Sequence, residues 1–231
     1  MKMQLNKGFT LVEIAIVLVI VGLLIGGVLK GQEMITNAKL KRIESDNAGL
    51  AAAMFSYQDR YLQLPGDDSG AGDRFDFYSA GGFTKANANG NGDGVIDGAW
   101  DSVIKGASWS DESSGLASPP QESSKFFGHL RAAGLIPGGS GTDATRPTNA
   151  YGGLIGIQNG SLNIAGHVNI FGQIEGAIAR ILESRLDDGL VDSGRIQSND
   201  VAGSMAVPSS AYAPSSNKYA EDKRYNMAFR L

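Results

Sequence analysis

Oxygen-bearing side chains alternate with glycines near the middle of the chain, at a spacing that suits a hard cation. Asn89, Asn91 and Asp93 would supply side-chain oxygens. Val95 would add its backbone carbonyl, and Asp97 would bind directly or through a water molecule. Because Ca²⁺ takes six to eight oxygen ligands, a loop that presents oxygens at alternate positions can wrap around one ion. The spacing predicts a calcium site over residues 89–97.

The same stretch matches only the first two-thirds of an EF-hand-type loop. The twelfth position is Trp100, where a bidentate Glu is needed, and Asp101 follows one residue later. Further carboxylates are available nearby, at Asp67, Asp68, Asp73 and Asp76. The alternative interpretation is a glycine-rich turn in which Asn and Asp accept left-handed backbone. Both interpretations stay open on the sequence alone.

The second candidate functional residue is a single carboxylate inside a long apolar run. Glu13 is the only charged residue between Lys7 and Lys30. The run Phe9–Leu29 would extend about 31 Å as a helix, close to the ~30 Å hydrocarbon thickness of a bilayer. A charge at membrane depth is costly, so Glu13 is predicted to be functional.

The flanks of this run predict its orientation. Lys2 and Lys7 precede it, which favours a cytoplasmic N-terminus with the remainder of the chain across the inner membrane. An ordinary secretory signal peptide is disfavoured because Glu13 interrupts the apolar segment and residues 25–30 lack a small-x-small cleavage site. A plain membrane anchor explains the length of the run but leaves Glu13 unexplained.

Residues 7–13, Lys-Gly-Phe-Thr-Leu-Val-Glu, together with the apolar run, resemble the processing site of type IV prepilins and of type II secretion pseudopilins. The resemblance implies that prepilin peptidase cuts between Gly8 and Phe9 and methylates the new amine of Phe9. It also implies that Glu13 acts in filament assembly. An unpaired carboxylate in a filament core is strongly penalised, so pairing with the Phe9 ammonium of a neighbouring subunit would relieve the penalty.

The resemblance further implies an α+β, pilin-like fold, in which a long N-terminal helix packs on a small antiparallel sheet with long loops. The predicted divisions are a leader peptide, a membrane-spanning half of the helix, a periplasmic half and a globular head, at residues 1–8, 9–29, 30–64 and 65–231. A loop-rich insertion, dense in Gly, Asp, Asn and Ser, occupies residues 66–120 of the head.

Hydrophobic periodicity places the elements that would position these residues. An apolar stripe and the absence of proline before Pro65 predict one helix from about Thr10 to Tyr61. Further helices are predicted over residues 121–133 and 173–185, and closing strands over residues 194–197 and 225–231. Asn159-Gly160 between two apolar runs predicts the turn of a β-hairpin.

Composition excludes several classes of function. The chain has 231 residues and a net charge of −4, which argues against non-specific nucleic-acid binding. It has no cysteine, so disulfides and thiol chemistry are excluded. His129 lies on a predicted helix without ligand partners and is interpreted as structural. The paired carboxylates Asp67-Asp68 and Asp187-Asp188 lie beside glycines and are interpreted as solvated turn residues, so no enzymatic activity is predicted.

The predicted function is that of a structural subunit of a type IV pilus or pseudopilus. Its expected partners are other pilin subunits, prepilin peptidase, the inner-membrane assembly platform and membrane lipid, with no nucleic acid and no cofactor other than Ca²⁺. It would cross the inner membrane once, with a periplasmic head, before entering an extracellular or periplasmic filament. The alternative is a minor or tip pilin, or a membrane-anchored module that binds a surface or a secreted ligand.

Overall fold

The computed structural model describes residues 10–75, 88–100, 121–138, 146–201 and 218–231. Four helices and four strands lie in these ranges: α1 (Leu11–Tyr61), α2 (Ala71–Arg74), α3 (Glu122–Ala132), β1 (Ile155–Ser161), β2 (Ile164–Glu175), α4 (Gly176–Leu186), β3 (Ile196–Asp200) and β4 (Arg224–Arg230). The predicted α+β architecture, a long N-terminal helix with a small antiparallel sheet, is confirmed. The predicted insertion is described only over residues 66–75 and 88–100, where it contains α2.

Helix α1 runs without a break for 51 residues. It ends where Leu62 adopts a left-handed φ of 56°, shortly before Pro65, which cannot continue a helix. The chain divides into two units, Met1–Lys41 and Arg42–Leu231, with the boundary inside α1. Within the second unit, an apolar stripe of this helix is buried at Ile43, Leu50, Met54 and Tyr57.

The strands form one antiparallel sheet in the order β1-β2-β4-β3. Trp100, which precedes α3 in the chain, belongs to a buried hydrophobic cluster on the sheet. The other members are Leu162 from the turn between β1 and β2, and Ile164, Val168, Ile170 and Ala228 from the strands. Near its middle, α1 makes polar contacts with β2 and α4. The Asn169 side-chain amide donates to Asn47 Oδ1 at 2.9 Å, and Arg185 pairs with Glu44 at 3.5 Å.

The hairpin turn lies three residues later than the predicted Asn159-Gly160 turn. Both of those residues belong to β1, and the chain reverses between Ser161 and Ile164, which pair across the hairpin. Leu162 sits in the turn with φ 54° and is fully buried. Burial of an apolar side chain fixes the register of a strand. Here the burial of Leu162 outweighs the local preference of Asn-Gly for a turn, so the turn forms at residues 162–163.

Candidate functional site

Thr10 and Glu13 exchange hydrogen bonds across the first turn of α1. The Thr10 backbone N–H and its hydroxyl both donate to Glu13 Oε2 at 2.8 Å. In return, the Glu13 N–H donates to Thr10 Oγ1 at 3.3 Å. This reciprocal pair is a capping box, and the Thr-x-x-Glu spacing is the local signal that could have predicted it from the sequence. Gly8 and Phe9 lie outside the described residues.

Every residue of α1 from Leu11 to Leu29 is exposed, and all but Glu13 are uncharged. The most apolar 18-residue window of the helix has a mean hydropathy of 2.8 and no buried residue. Contiguous apolar surface of this extent marks a region that lipid or other proteins cover. By length and composition, α1 is able to cross a membrane.

Among known proteins, one family model matches the N-terminal part of the chain. Residues 3–29 match the family model of the prokaryotic N-terminal methylation motif. The chain carries the signature of type IV pilins and pseudopilins. The resemblance inferred from residues 7–13 is thereby confirmed, and proteins with this motif are structural rather than enzymatic. No curated protein and no solved structure matches the chain.

In the head of this pilin-like chain, three carboxylates meet beside the Asn/Asp-Gly loop. We call Asp67, Asp93 and Glu122 the acidic loop cluster, because one carboxylate oxygen of each lies within 4.8 Å of the other two. Asp67 and Glu122 are buried, whereas Asp93 is exposed. The three residues come from the segment after α1, the loop and the first turn of α3, which are far apart in the sequence.

Backbone amides of the loop hold two of these carboxylates in place. Asp67 Oδ1 accepts the Gly92 N–H at 2.6 Å, and Asp67 Oδ2 accepts the Gly94 N–H at 2.8 Å. Glu122 Oε1 accepts the Asn91 N–H at 2.7 Å, and Glu122 Oε2 accepts the Asp97 N–H at 3.0 Å. The loop is therefore folded around the two buried carboxylates.

Of the five predicted calcium ligands, the structure brings only Asp93 into this cluster. Asn89 Oδ1 accepts the Gly72 N–H at 2.6 Å. Asn91 Oδ1 accepts the Asp93 N–H, and Asp93 Oδ1 accepts the Val95 N–H, both at 2.9 Å. Asp97 donates its backbone N–H to Glu122, and its carbonyl accepts the Ser123 N–H at 2.9 Å. The sequence pointed to Asp67 as a source of carboxylate but carried no signal for Glu122, and Asp76 lies outside the described residues.

The electrostatics of the cluster show an excess of negative charge. Burial raises the pKa of Glu122, and the nearby Asp67 and Asp97 carboxylates raise it further. Lys125 is the nearby cation, and its ammonium donates to the Asn89 carbonyl at 2.5 Å. Burial lowers the pKa of Lys125. The partly desolvated ammonium acts on Glu122 and Asp67, and Asp93 adds a third carboxylate, so the donor set suits a hard cation.

A buried polar network fastens the end of α1 to the same loop region. The Tyr57 hydroxyl donates to Asp68 Oδ2 at 2.6 Å, and the Gly70 N–H donates to Asp68 Oδ1 at 2.8 Å. Arg74 pairs with the Asp68 carboxylate, which is fully buried. Burial raises the pKa of the Tyr57 phenol, and the Asp68 carboxylate raises it further. Both oxygens of Asp68 are therefore satisfied by neighbouring donors. Asp67 and Asp68 are buried, so the interpretation of this pair as solvated turn residues is wrong.

His129 connects α3 to two chain segments. Its Nδ1 accepts the Gly66 N–H at 2.9 Å, so its Nε2 carries the proton and donates to the Ala88 carbonyl at 2.8 Å. The ring is fully buried and stacks on Tyr57 with centroids 6.1 Å apart. Burial lowers the pKa of His129 to about 4. These contacts agree with the structural role inferred from the sequence.

We expect His129 to weaken the fold in acid. Its pKa in the folded state, about 4, lies below the ordinary value of 6.5, so the unfolded state binds its proton first. Its contribution to the free energy of unfolding should fall by about 3 kcal/mol between pH 6.5 and pH 4. Among the charged groups near the ring, the Asp68 carboxylate raises the pKa of His129, and Lys125 and Arg74 lower it.

The measurement is urea unfolding of the full chain in detergent at pH 7, 5.5 and 4, for the wild type and for His129→Gln. The variant should be less stable at pH 7, and the difference between the two proteins should shrink towards pH 4. The comparison isolates His129, because burial raises the pKa of Glu183 to about 8 and its titration acts in the opposite direction. A difference that stays constant with pH would show that His129 does not titrate in this way.

Proposed function

We propose that the chain is a structural subunit of a type IV pilus or pseudopilus, assembled through α1. The observation that carries the proposal is the exposed apolar surface of residues 11–29, with Glu13 as its only charge, inside the matched methylation motif. Before assembly this surface would lie in the inner membrane, with the N-terminus cytoplasmic and the head periplasmic. In the filament it would pack against the same segment of other subunits.

Processing would create an ammonium group at Phe9 with which the Glu13 carboxylate can form an ion pair. Cleavage between Gly8 and Phe9 by prepilin peptidase, with methylation of the new amine, places a positive charge one residue before Thr10. The capping box uses Glu13 Oε2, and Glu13 Oε1 accepts no hydrogen bond from the described residues. A carboxylate offers lone pairs on both oxygens, so Oε1 is available to the Phe9 ammonium of a neighbouring subunit. The assembly platform of the inner membrane would bring the two subunits together.

Substitution of Gly8 tests the processing step. In membranes that contain a prepilin peptidase, the wild-type chain should lose residues 1–8, and Gly8→Leu should keep its full mass because a branched side chain obstructs a tight protease site. Gly22→Ala is the matched control in the same run, where an added Cβ meets no atom within 4 Å. It should be processed normally. Cleavage of Gly8→Leu at the wild-type rate would contradict processing at this bond.

We also propose that Ca²⁺ binds the acidic loop cluster, held by Asp67, Asp93 and Glu122. The support is the closeness of the three carboxylates and the burial of two of them. The residues predicted from spacing, Asn89, Asn91, Val95 and Asp97, line the loop that would surround the ion. Bound calcium would neutralise the cluster and join the loop to α3, a cross-link that a chain without cysteine cannot make with a disulfide.

Removing the exposed carboxylate tests calcium binding without disturbing the core. Calcium should raise the melting temperature of the full wild-type chain after chelation, because a ligand that binds only the folded state stabilises it. Asp93→Asn should reduce that rise, whereas Asp59→Asn, an exposed carboxylate on α1, should not. Equal calcium responses in the wild type and in Asp93→Asn would exclude this ligand set.

A further inference from the structure

Helix α4 and the turn that follows it bring together three carboxylates outside the acidic loop cluster. Glu183 lies in the last two turns of α4, and Asp187 and Asp188 directly follow the helix. One carboxylate oxygen of each residue lies within 4.8 Å of the other two. We call these three residues the α4 cluster.

The decisive atom in the α4 cluster is an oxygen of Glu183. This side chain is fully buried. Its Oε2 accepts a hydrogen bond from the Tyr219 hydroxyl at 2.9 Å. Its Oε1 is buried and has no hydrogen-bond partner among the residues that the structure describes. A buried carboxylate oxygen without a partner is costly, so this atom points to a ligand.

The two aspartates are held by the turn between α4 and β3. Asp187 Oδ2 accepts the N–H groups of Arg195 and Ile196 at 2.5 and 2.7 Å. Asp188 Oδ1 accepts the Leu190 N–H at 2.9 Å, and the Ser193 hydroxyl donates to Asp188 Oδ2 at 2.6 Å. Both carboxylates are thus fixed beside Glu183, and each keeps lone pairs that these bonds do not use.

No lysine or arginine balances the α4 cluster in the described part of the chain. Arg195 contributes its backbone N–H, and the nearby Arg185 pairs with Glu44 on α1. A proton on Glu183 would remove one negative charge and leave the two aspartates beside it. A divalent cation would balance two charges and give Glu183 Oε1 the bond that it lacks.

We propose that the α4 cluster is a second cation site, in which Glu183, Asp187 and Asp188 bind a divalent ion of the calcium class. Three carboxylates and no nitrogen or sulfur ligand suit a hard cation, with water completing the coordination. The ion would fasten the turn after α4 to the helix itself. Because β3 follows this turn and forms an edge of the sheet, calcium would also order that edge.

Hydrogen exchange with and without calcium tests this site in the full chain. After chelation, adding CaCl₂ to the detergent-solubilised protein should slow amide exchange in residues 187–198. Glu183→Gln retains an acceptor for the Tyr219 hydroxyl but removes the charge, so the protection should require at least about tenfold more calcium. Asp192→Asn is the matched control: it removes a carboxylate from the same turn but outside the cluster, and its protection should match the wild type.

Two further variants keep the test decisive. Asp188 is exposed, so Asp188→Asn should fold even where Glu183→Gln does not, and it should weaken the protection in the same way. Asp93→Asn, in the acidic loop cluster, should leave the protection of residues 187–198 intact, which separates the two sites. The proposal is overturned if calcium gives the wild type no protection in this segment, or if Asp188→Asn is protected at the wild-type calcium concentration.

Discussion

Replacing Glu13 with glutamine should leave the chain processed and folded but remove it from filaments. The amide retains an acceptor for the Thr10 N–H, so the helix cap survives. It carries no charge to pair with the ammonium of a neighbouring Phe9. Removing one partner of a buried ion pair costs about 3–5 kcal/mol, which lowers an association constant by about two to three and a half powers of ten. Quantitative immunoblots of sheared fibres and of membranes should show this loss.

The matched control for Glu13 is Glu33→Gln on the same helix. Glu33 is exposed and pairs with Lys30 at 2.8 Å, an ion pair within one turn that contributes little. This variant should enter fibres at the wild-type level. If Glu13→Gln also did so, the role of Glu13 would be limited to its capping box with Thr10, and assembly through a Glu13–Phe9 ion pair would be wrong.

Replacing Asp68 with alanine should strongly destabilise the head. The Tyr57 hydroxyl and the Arg74 guanidinium would both lose their acceptor in a site where the carboxylate is closed to water. Breaking such a buried charged network costs about 3–5 kcal/mol. That is a large share of the ~5–15 kcal/mol by which domains are stable. Chemical unfolding of the full chain in detergent should show a much lower transition midpoint.

Two further variants test whether the loss of the Asp68 network causes the lower stability of Asp68→Ala. Asp59→Ala removes an exposed carboxylate from the same end of α1 and should change the free energy of unfolding by less than about 0.5 kcal/mol. Tyr57→Phe removes one hydrogen bond and should cost about 1–2 kcal/mol. Similar values for Asp68→Ala and Asp59→Ala would mean that the Asp68 network does not hold the fold together.

The helices were predictable because their signals are local. The apolar stripe of α1 and the late Pro65 determine its extent, and its observed end at Tyr61 matches the prediction. Helix α3 lies inside its predicted range, and α4 begins and ends within three residues of its own. The methylation motif is equally local, since it lies in one continuous stretch, residues 3–29.

Contacts between distant segments account for what the sequence did not reveal. Burial of Leu162 moved the hairpin turn away from Asn159-Gly160, and no local pattern reports that burial. Glu122 joins Asp67 only because α3 packs beside the loop. Asp187 and Asp188 were interpreted as solvated turn residues, and their closeness to the buried Glu183 appears only once α4 is folded.

The mass and N-terminal sequence of the chain in sheared fibres from its native host test prepilin processing most directly. We expect a chain that begins at N-methylated Phe9 and lacks residues 1–8. A chain that begins at Met1, or that is cut beyond Leu29, would contradict prepilin processing and, with it, assembly through Glu13 and α1.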